Sequence, residues 1–269
     1  MSNLLQLVEN EQTSEFYPTP ESLVKRMIKG VDFDYIRTVL EPSAGKGDIL
    51  REIAKEEHKY RHGKTFDVDC IEIDSNLRQI LKYNFSDERK KQFDRWTDEE
   101  YKTFFENGIH IVHDDFLTYN PFKRYDLIIM NPPFSNGDKH LLKALEMQKK
   151  GGNIICLLNA ETLRNPYTAA RKELLKRLEE HNAIIEYIED AFVSSERSTG
   201  VEIALIKVAI PQAQEESDIF NHFKRAEEIE DFQPNVTELE VSDYIKAAVN
   251  QFNVEVKAGL ELIRPPSEE

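Results

Sequence analysis

Seven short apolar runs are spread along the chain, and stretches with helical periodicity separate most of them. The runs are Thr38–Glu41, Val68–Ile73, Ile109–His113, Asp126–Met130, Asn153–Leu158, Ile184–Ile188 and Val201–Ile210. Each is too short to be a core helix and rich enough in Val and Ile to be a strand. Helical patterns fall at Ile49–Glu57, Asn76–Tyr83, Lys139–Lys149 and Thr168–His181. A strand followed by a helix and then another strand needs a crossover, so the pattern predicts a mainly parallel sheet covered on both faces. In such sheets ligands bind beyond the carboxyl ends of the strands, where the strand order reverses.

Length and composition fit this reading. A chain of 269 residues holds one large domain, or a medium domain with an appendage. No apolar run approaches the ~18 residues of a membrane span, so no membrane association is expected. The amino terminus, MSNLLQLVENEQ, lacks a basic segment leading into an apolar one, so a cytoplasmic location is expected. Cys70 and Cys156 sit in apolar runs without metal-ligand spacing. They read as buried thiols of a reducing compartment, and no metal site is expected. Of the net charge of −15, the 14 acidic and 5 basic residues from Pro211 onward carry −9. That balance argues against an extended nucleic-acid coat, though not against a local basic cleft.

Two segments stand outside the alternation. Ser86–Asn107 is charged with interleaved aromatics (Phe93, Trp96, Tyr101, Phe104 and Phe105) and reads as a helical insertion. Its rings either pack on the sheet or offer stacking surfaces to a nucleic acid. Residues 211–269 read as an acidic helical appendage that needs a surface to pack on. That surface is the domain's flank, a second copy or a further domain.

Four loops at strand ends carry chemistry. After the first strand, Glu41-Pro42-Ser43-Ala44-Gly45-Lys46-Gly47 opens a helix at about Asp48. Gly45 and Gly47 allow a tight turn and close approach of a ligand, although GxG alone is a weak signal. After the second strand, Glu72 lies between apolar Ile71 and Ile73 and needs a partner; an acidic side chain here can accept both hydroxyls of a ribose. Asp74 reads equally as a helix cap. After the third strand, Asp115 could accept from an adenine amine and Phe116 could cover the ring, or they are a loop acid and a core residue. After the fourth strand, DLIIM runs directly into Asn131-Pro132-Pro133-Phe134. Proline cannot donate to a sheet ladder, so the strand stops and Asn131 is held at its end. The Asn131 side-chain oxygen and the Pro132 carbonyl can accept the two hydrogens of a planar amine. They would orient its nitrogen and favour charge developing there during attack on a methyl sulfonium. Phe134 can stack on the ring that bears the amine.

With these residues, Glu15 to about Ile210 resembles the class I S-adenosylmethionine-dependent methyltransferases. It is most similar to the adenine-N6 DNA methyltransferases whose cofactor motif precedes an NPPF catalytic motif. The resemblance implies an α/β fold, a Rossmann-like seven-stranded sheet of order 3-2-1-4-5-7-6 with strand 7 antiparallel, spanning 1–210. It implies S-adenosylmethionine as cofactor, held by Glu41, Pro42, Ser43, Gly45, Gly47 and Asp48, by Glu72 and Ile73, by Asp115 and Phe116, and by Asn131. The segment EFYPTP resembles the motif that closes over the cofactor's methionine end, through Tyr17 and Thr19. Asn131, Pro132, Pro133 and Phe134 are the implied catalytic set, and Phe192 is the implied aromatic support for a flipped base.

The substrate implied is nucleic acid, DNA before RNA. RNA adenine-N6 or guanine-N2 methylation, protein glutamine methylation and an inactive assembly subunit are the alternatives. Lys46, Lys139, Arg164 and Arg197 are the candidate phosphate contacts near the strand ends. The usual target-recognition domain of such enzymes has no counterpart beyond the acidic stretch. Recognition is therefore expected from loops, or from a partner domain or subunit, or the chain is a fragment of a longer protein.

Overall fold

Strands buried on both faces must be apolar at nearly every position. The computed structural model describes residues 18–59, 65–91, 100, 102–192 and 201–212, and its central strands follow that rule: all of Leu127–Met130 is buried. The strands are β1 Thr38–Glu41, β2 Asp67–Ile71, β3 His110–His113, β4 Leu127–Met130, β5 Gly152–Asn159, β6 Ile184–Ile188 and β7 Ile203–Ile210. They form one sheet of order β3-β2-β1-β4-β5-β7-β6. The pairs on the β3 side of β5 are parallel, and β7 runs antiparallel to both β5 and β6. Every expected strand is present, with ends moved by at most two residues.

Among the described residues the helices are α1 Glu21–Ile28, α2 Asp48–Glu57, α3 Ser75–Asn84, α4 Asp87–Lys91, α5 Gly137–Met147, α6 Glu161–Arg164 and α7 Ala169–Glu180. None is long and apolar enough to cross a membrane. Alternation along the strands splits the core in two. Val39, Val68, Ile129, Leu157 and Leu205 face α1 and α2 through Val24, Met27, Leu50 and Ile53. Leu40, Ile128, Met130, Ile154 and Leu158 face α5 and α7 through Leu141, Ala144, Leu174 and Leu178. Both cysteines are buried and unpaired.

The insertion packs its described rings inward. Phe85 stacks on Phe105 at 6.1 Å and meets Phe104 edge-on at 6.4 Å. The buried Glu57 carboxylate accepts from the Phe66 backbone at 2.6 Å and the Glu106 backbone at 2.9 Å. For Phe104 and Phe105, then, the role is packing rather than an offered stacking surface. Phe93, Trp96 and Tyr101, like the acidic appendage, lie outside the described residues.

A single side chain starts two central strands together. Asp126 Oδ2 accepts from the backbone N–H of Arg37 and of Thr38, both at 2.9 Å, and from the Thr38 hydroxyl at 3.0 Å. Replacing Asp126 by alanine strands these donors and should lower stability by about 2–3 kcal/mol. Urea unfolding should show this as a lower midpoint with an unchanged slope; an unchanged midpoint would mean that water replaces the carboxylate fully.

Candidate functional site

β1 and β4 are neighbours, with Leu40 opposite Ile128. The helix after β1 packs on one face of the sheet, and the helix after β4 packs on the other. Their connecting loops therefore separate, leaving a crevice at the carboxyl ends of these two strands. The glycine-containing loop and the NPPF turn border it.

The loop is tied to β2. Ala44 N–H donates to the Ile71 carbonyl at 2.9 Å, and Gly45 N–H donates to Glu72 Oε2 at 2.7 Å. Gly47 has φ +87°, and a Cβ there would lie 2.3 Å from Phe85 Cε2. Both the backbone conformation and the contact with the residue capping α3 therefore demand glycine. The second glycine is thus fixed by packing, whatever the loop binds.

Glu72 is 7% exposed. Its other oxygen, Oε1, accepts from the Asp74 N–H at 2.9 Å. Each oxygen retains a second lone-pair direction for a hydroxyl donor. Burial pushes its pKa up, against the two backbone hydrogen bonds that favour the ion. Ile73 stands 68% exposed beside it. Asp74 caps α3 by accepting from Asn76 and Leu77 N–H.

Glu41, at the end of β1, is fully buried. Its pKa is pushed well above the ordinary range by burial first, then by the charges of Asp48 and Glu72, with Arg51 and the Leu50 N–H opposing. Its Oε2 is the only buried side-chain oxygen or nitrogen among the described residues that lacks a hydrogen-bond partner. Asp48 pairs with Arg51. Pro42 is buried and Ser43 half-buried in the loop.

At β3's end, Asp115 and Phe116 are both engaged within the chain. Asp115 Oδ1 accepts from Leu117 N–H at 2.9 Å and caps a 3-10 turn. The Phe116 ring is 2% exposed and packs on His140 at 5.7 Å, with Lys143 Nζ 5.5 Å above it. It belongs to the core cluster between the sheet and α5 and α7.

The NPPF turn is rigid on both sides. Asn131 Nδ2 donates to Thr19 Oγ1 at 3.0 Å, which sets the Asn131 carboxamide with its oxygen at the opposite end. Sequence reasoning placed Thr19 near the cofactor and missed this bond, because nothing local links residues 112 positions apart. Pro132 is buried, and the Pro133 carbonyl accepts from Asn136 N–H at 3.1 Å. Gly137 starts α5 two residues earlier than the periodicity suggested. A Cβ on it would come within 2.5 Å of Leu158 Cδ2, so glycine lets the helix begin against β5. Phe134 meets Phe192 edge-on, centroids 6.1 Å apart. Phe192 is fully buried, so it backs Phe134 and does not itself reach the surface.

The candidate cations divide. Lys139 Nζ donates to Asn136 Oδ1 at 3.2 Å and remains exposed. The Lys46 carbonyl accepts from Asn84 Nδ2 at 2.9 Å, with its own side chain half-exposed. Arg164 is bonded through both Nη atoms to Glu202 and lies over the Tyr187 ring, so its charge is already matched. Tyr17 and Arg197 lie outside the described residues. At the opposite end of the sheet, Asp67, Asp69 and His110 have metal-ligand proximity. Lys123 Nζ sits 2.8 Å from both carboxylates and meets their charge.

The fold has clear relatives among solved structures. A type I restriction-modification methyltransferase subunit from Streptococcus thermophilus aligns with a TM-score of 0.55 at 17% identity, over 77% of this chain and 47% of that one. A modification subunit assigned to a type I restriction enzyme of Vibrio vulnificus gives 0.50 at 14% identity, over 77% and 47%. A protein of Listeria monocytogenes assigned to the class I S-adenosylmethionine-dependent methyltransferases gives 0.50 at 13% identity, over 83% and 74%. This chain thus spans about half the length of the two restriction-modification subunits. At these identities the likeness is one of fold. No protein-family model and no curated protein matches the chain.

The buried Glu41 gives a pH prediction. Its folded pKa lies above the unfolded value, so the native state holds the proton longer. Its contribution to stability is complete below the unfolded pKa and is lost as pH rises through the folded one. Glu41→Gln cannot ionise and escapes that loss. Thermal unfolding should show the variant near wild type at about pH 4 and progressively more stable than wild type toward pH 8. A constant difference across that range would mean that Glu41 is not held protonated.

Proposed function

We infer that the chain is a methyltransferase acting on the N6 amine of adenine in DNA, with S-adenosylmethionine as cofactor. The observation that carries this is the Thr19–Asn131 hydrogen bond at the end of β4. It aims an amide acceptor, fixed by two prolines, beside an aromatic ring backed by a second ring. The class I methyltransferase fold and the restriction-modification relatives support the reading.

The crevice fits the cofactor by its chemistry. Glu41 Oε2, buried and unpartnered, suits the ammonium of a methionine moiety. The remaining lone pairs of Glu72 suit ribose hydroxyls, and exposed Ile73 suits an adenine face. The cofactor, when bound, supplies an electrophilic methyl group on a cationic sulfur.

The chain's own residues do the rest. Asn131 Oδ1 and the Pro132 carbonyl accept the two N–H groups of the amine, hold it in line and disfavour its ring conjugation. With the amine so held, its nitrogen lone pair would be directed at the methyl group the cofactor supplies, and the proton the amine gives up would pass to water. Phe134 covers the base face, which requires the base to leave the stack. Phe192 keeps Phe134 from turning away. In this reading residues 1–210 form the catalytic domain, and the acidic residues 211–269 dock the domain or subunit that supplies target recognition.

Labelled cofactor offered with DNA and RNA, followed by digestion to nucleosides, tests the assignment; N6-methyladenine from DNA is expected. Label in guanine, in RNA alone or in protein would replace the substrate assigned. Asn131→Ala should cut turnover by at least ~10²-fold with cofactor affinity nearly unchanged. Thr19→Val should cut it by roughly 10- to 100-fold through misplacement of the same amide, with Thr19→Ser close to wild type. Separately, Glu72→Ala should weaken cofactor binding in calorimetry by about 1.5–3 kcal/mol; unchanged affinity in a folded variant would remove Glu72 from the site.

A further inference from the structure

Just past the carboxyl end of β5, the segment Arg164–Arg171 holds an aromatic ring in place without burying it. Tyr167 is 73% exposed. The Arg171 guanidinium lies over its ring, 4.6 Å from the centroid, and is itself tied down by donating to the Asn165 carbonyl at 3.3 Å. The Tyr167 N–H donates to the same carbonyl at 2.9 Å, Thr168 caps α7 by accepting from Arg171 N–H, and Pro166 stiffens the turn. Ordering a large ring loses rotamer freedom, and here little area is buried to offset that. No acidic side chain pairs with Arg171 among the described residues, whereas Arg164 beside it is neutralised by Glu202. Exposed Lys172 follows. The segment shares the sheet end of the NPPF turn: Pro132 and Leu158 both border Gly137.

We propose that Tyr167 and Arg171 form a second nucleobase site, in which the outer face of Tyr167 stacks on an unpaired base of the substrate strand and Arg171 and Lys172 meet its phosphates. The proposal rests on the nucleic-acid reading above and deepens it by specifying a splayed strand rather than an intact duplex. A preorganised ring with one face on a cation suits stacking, which every base can provide. A cation without an acid partner suits a phosphate.

The test uses the full chain with 20-nucleotide single-stranded DNA and RNA of one adenine-containing sequence, read by fluorescence anisotropy. Tyr167→Ala should weaken binding roughly 5- to 150-fold, the span of base–aromatic stacking, and Tyr167→Phe should stay within about two-fold. Arg171→Ala should also lower the salt dependence by about one contact. Cofactor affinity should be unchanged in all three. Photocrosslinking of wild type with 5-iodouracil-substituted strands should capture the peptide bearing Tyr167, and comparing the DNA and RNA arms assigns the strand type. If wild type binds and methylates nucleic acid while Tyr167→Ala binds equally well and no crosslink forms there, the second site is wrong and the methylation reading stands. A variant that loses cofactor affinity as well would make Tyr167 structural and overturn the proposal. A wild type that neither binds nor modifies nucleic acid removes both.

Discussion

The position of β1 between β2 and β4 governs the site. The parallel pairing brings three carboxyl ends to one edge of the sheet. The chain leaves β1 for one face and β4 for the other, so no connection closes the gap between them. The proposed site is hung on that gap: the glycine-containing loop after β1, Glu72 after β2 and Asn131 after β4. Asp126 matters because it sets where β1 and β4 begin, and so where they end. A register slip of one residue would turn Leu40 and Ile128 to the wrong cores and carry Glu41 and Asn131 with them.

The same edge concentrates charge in a place that resists it. Glu41, Asp48 and Glu72 lie close enough for the latter two to raise the Glu41 pKa. At Glu41, Arg51 and the Leu50 N–H work the other way. Glu72 is partly compensated by the Gly45 and Asp74 N–H groups, so its hydrogen bonds hold the loop to β2 even without a ligand. Glu41 has no such compensation at Oε2. A fully buried, half-satisfied carboxyl is a stability liability, and a hydrophobic or amide side chain would relieve it. Its presence where β1 opens into the crevice makes sense if a cationic group arrives there.

The strands and the two loops were legible because their signals are local. Apolar runs such as LIIM need only a few residues to be recognised, and two prolines after one of them mark its end. Asp74 could be read as a cap because capping acts over three residues. What was not legible depends on partners far away in sequence. Nothing near Phe116 says that His140 and Lys143 will enclose its ring, and nothing near Arg164 says that Glu202 will take its charge. Gly47 looked like a ligand-binding glycine, and its φ agrees; the close approach of Phe85 is a second reason that only the fold supplies. Phe192 was expected as an aromatic support for a base, and nothing near it says that it will be buried edge-on against Phe134.

The Thr19–Asn131 bond links the NPPF turn to the helix that precedes the sheet. Thr19 adjoins Pro20, whose carbonyl accepts from Leu23 and Val24 N–H and so starts α1. That helix is seated on α2 through Val24 and Met27 in the shared core, and Lys55 of α2 sits 3.4 Å from Glu21. The residue that orients the Asn131 amide is thus carried by the helix that packs on the helix after the glycine-containing loop. Displacing the segment before α1 would rotate an amide on the far side of the crevice without touching a residue of NPPF. A carboxamide has its donor and acceptor at opposite ends, so such a rotation changes which of them an incoming amine meets. In the proposed reading, the orientation of the acceptor therefore depends on one hydroxyl from outside the sheet.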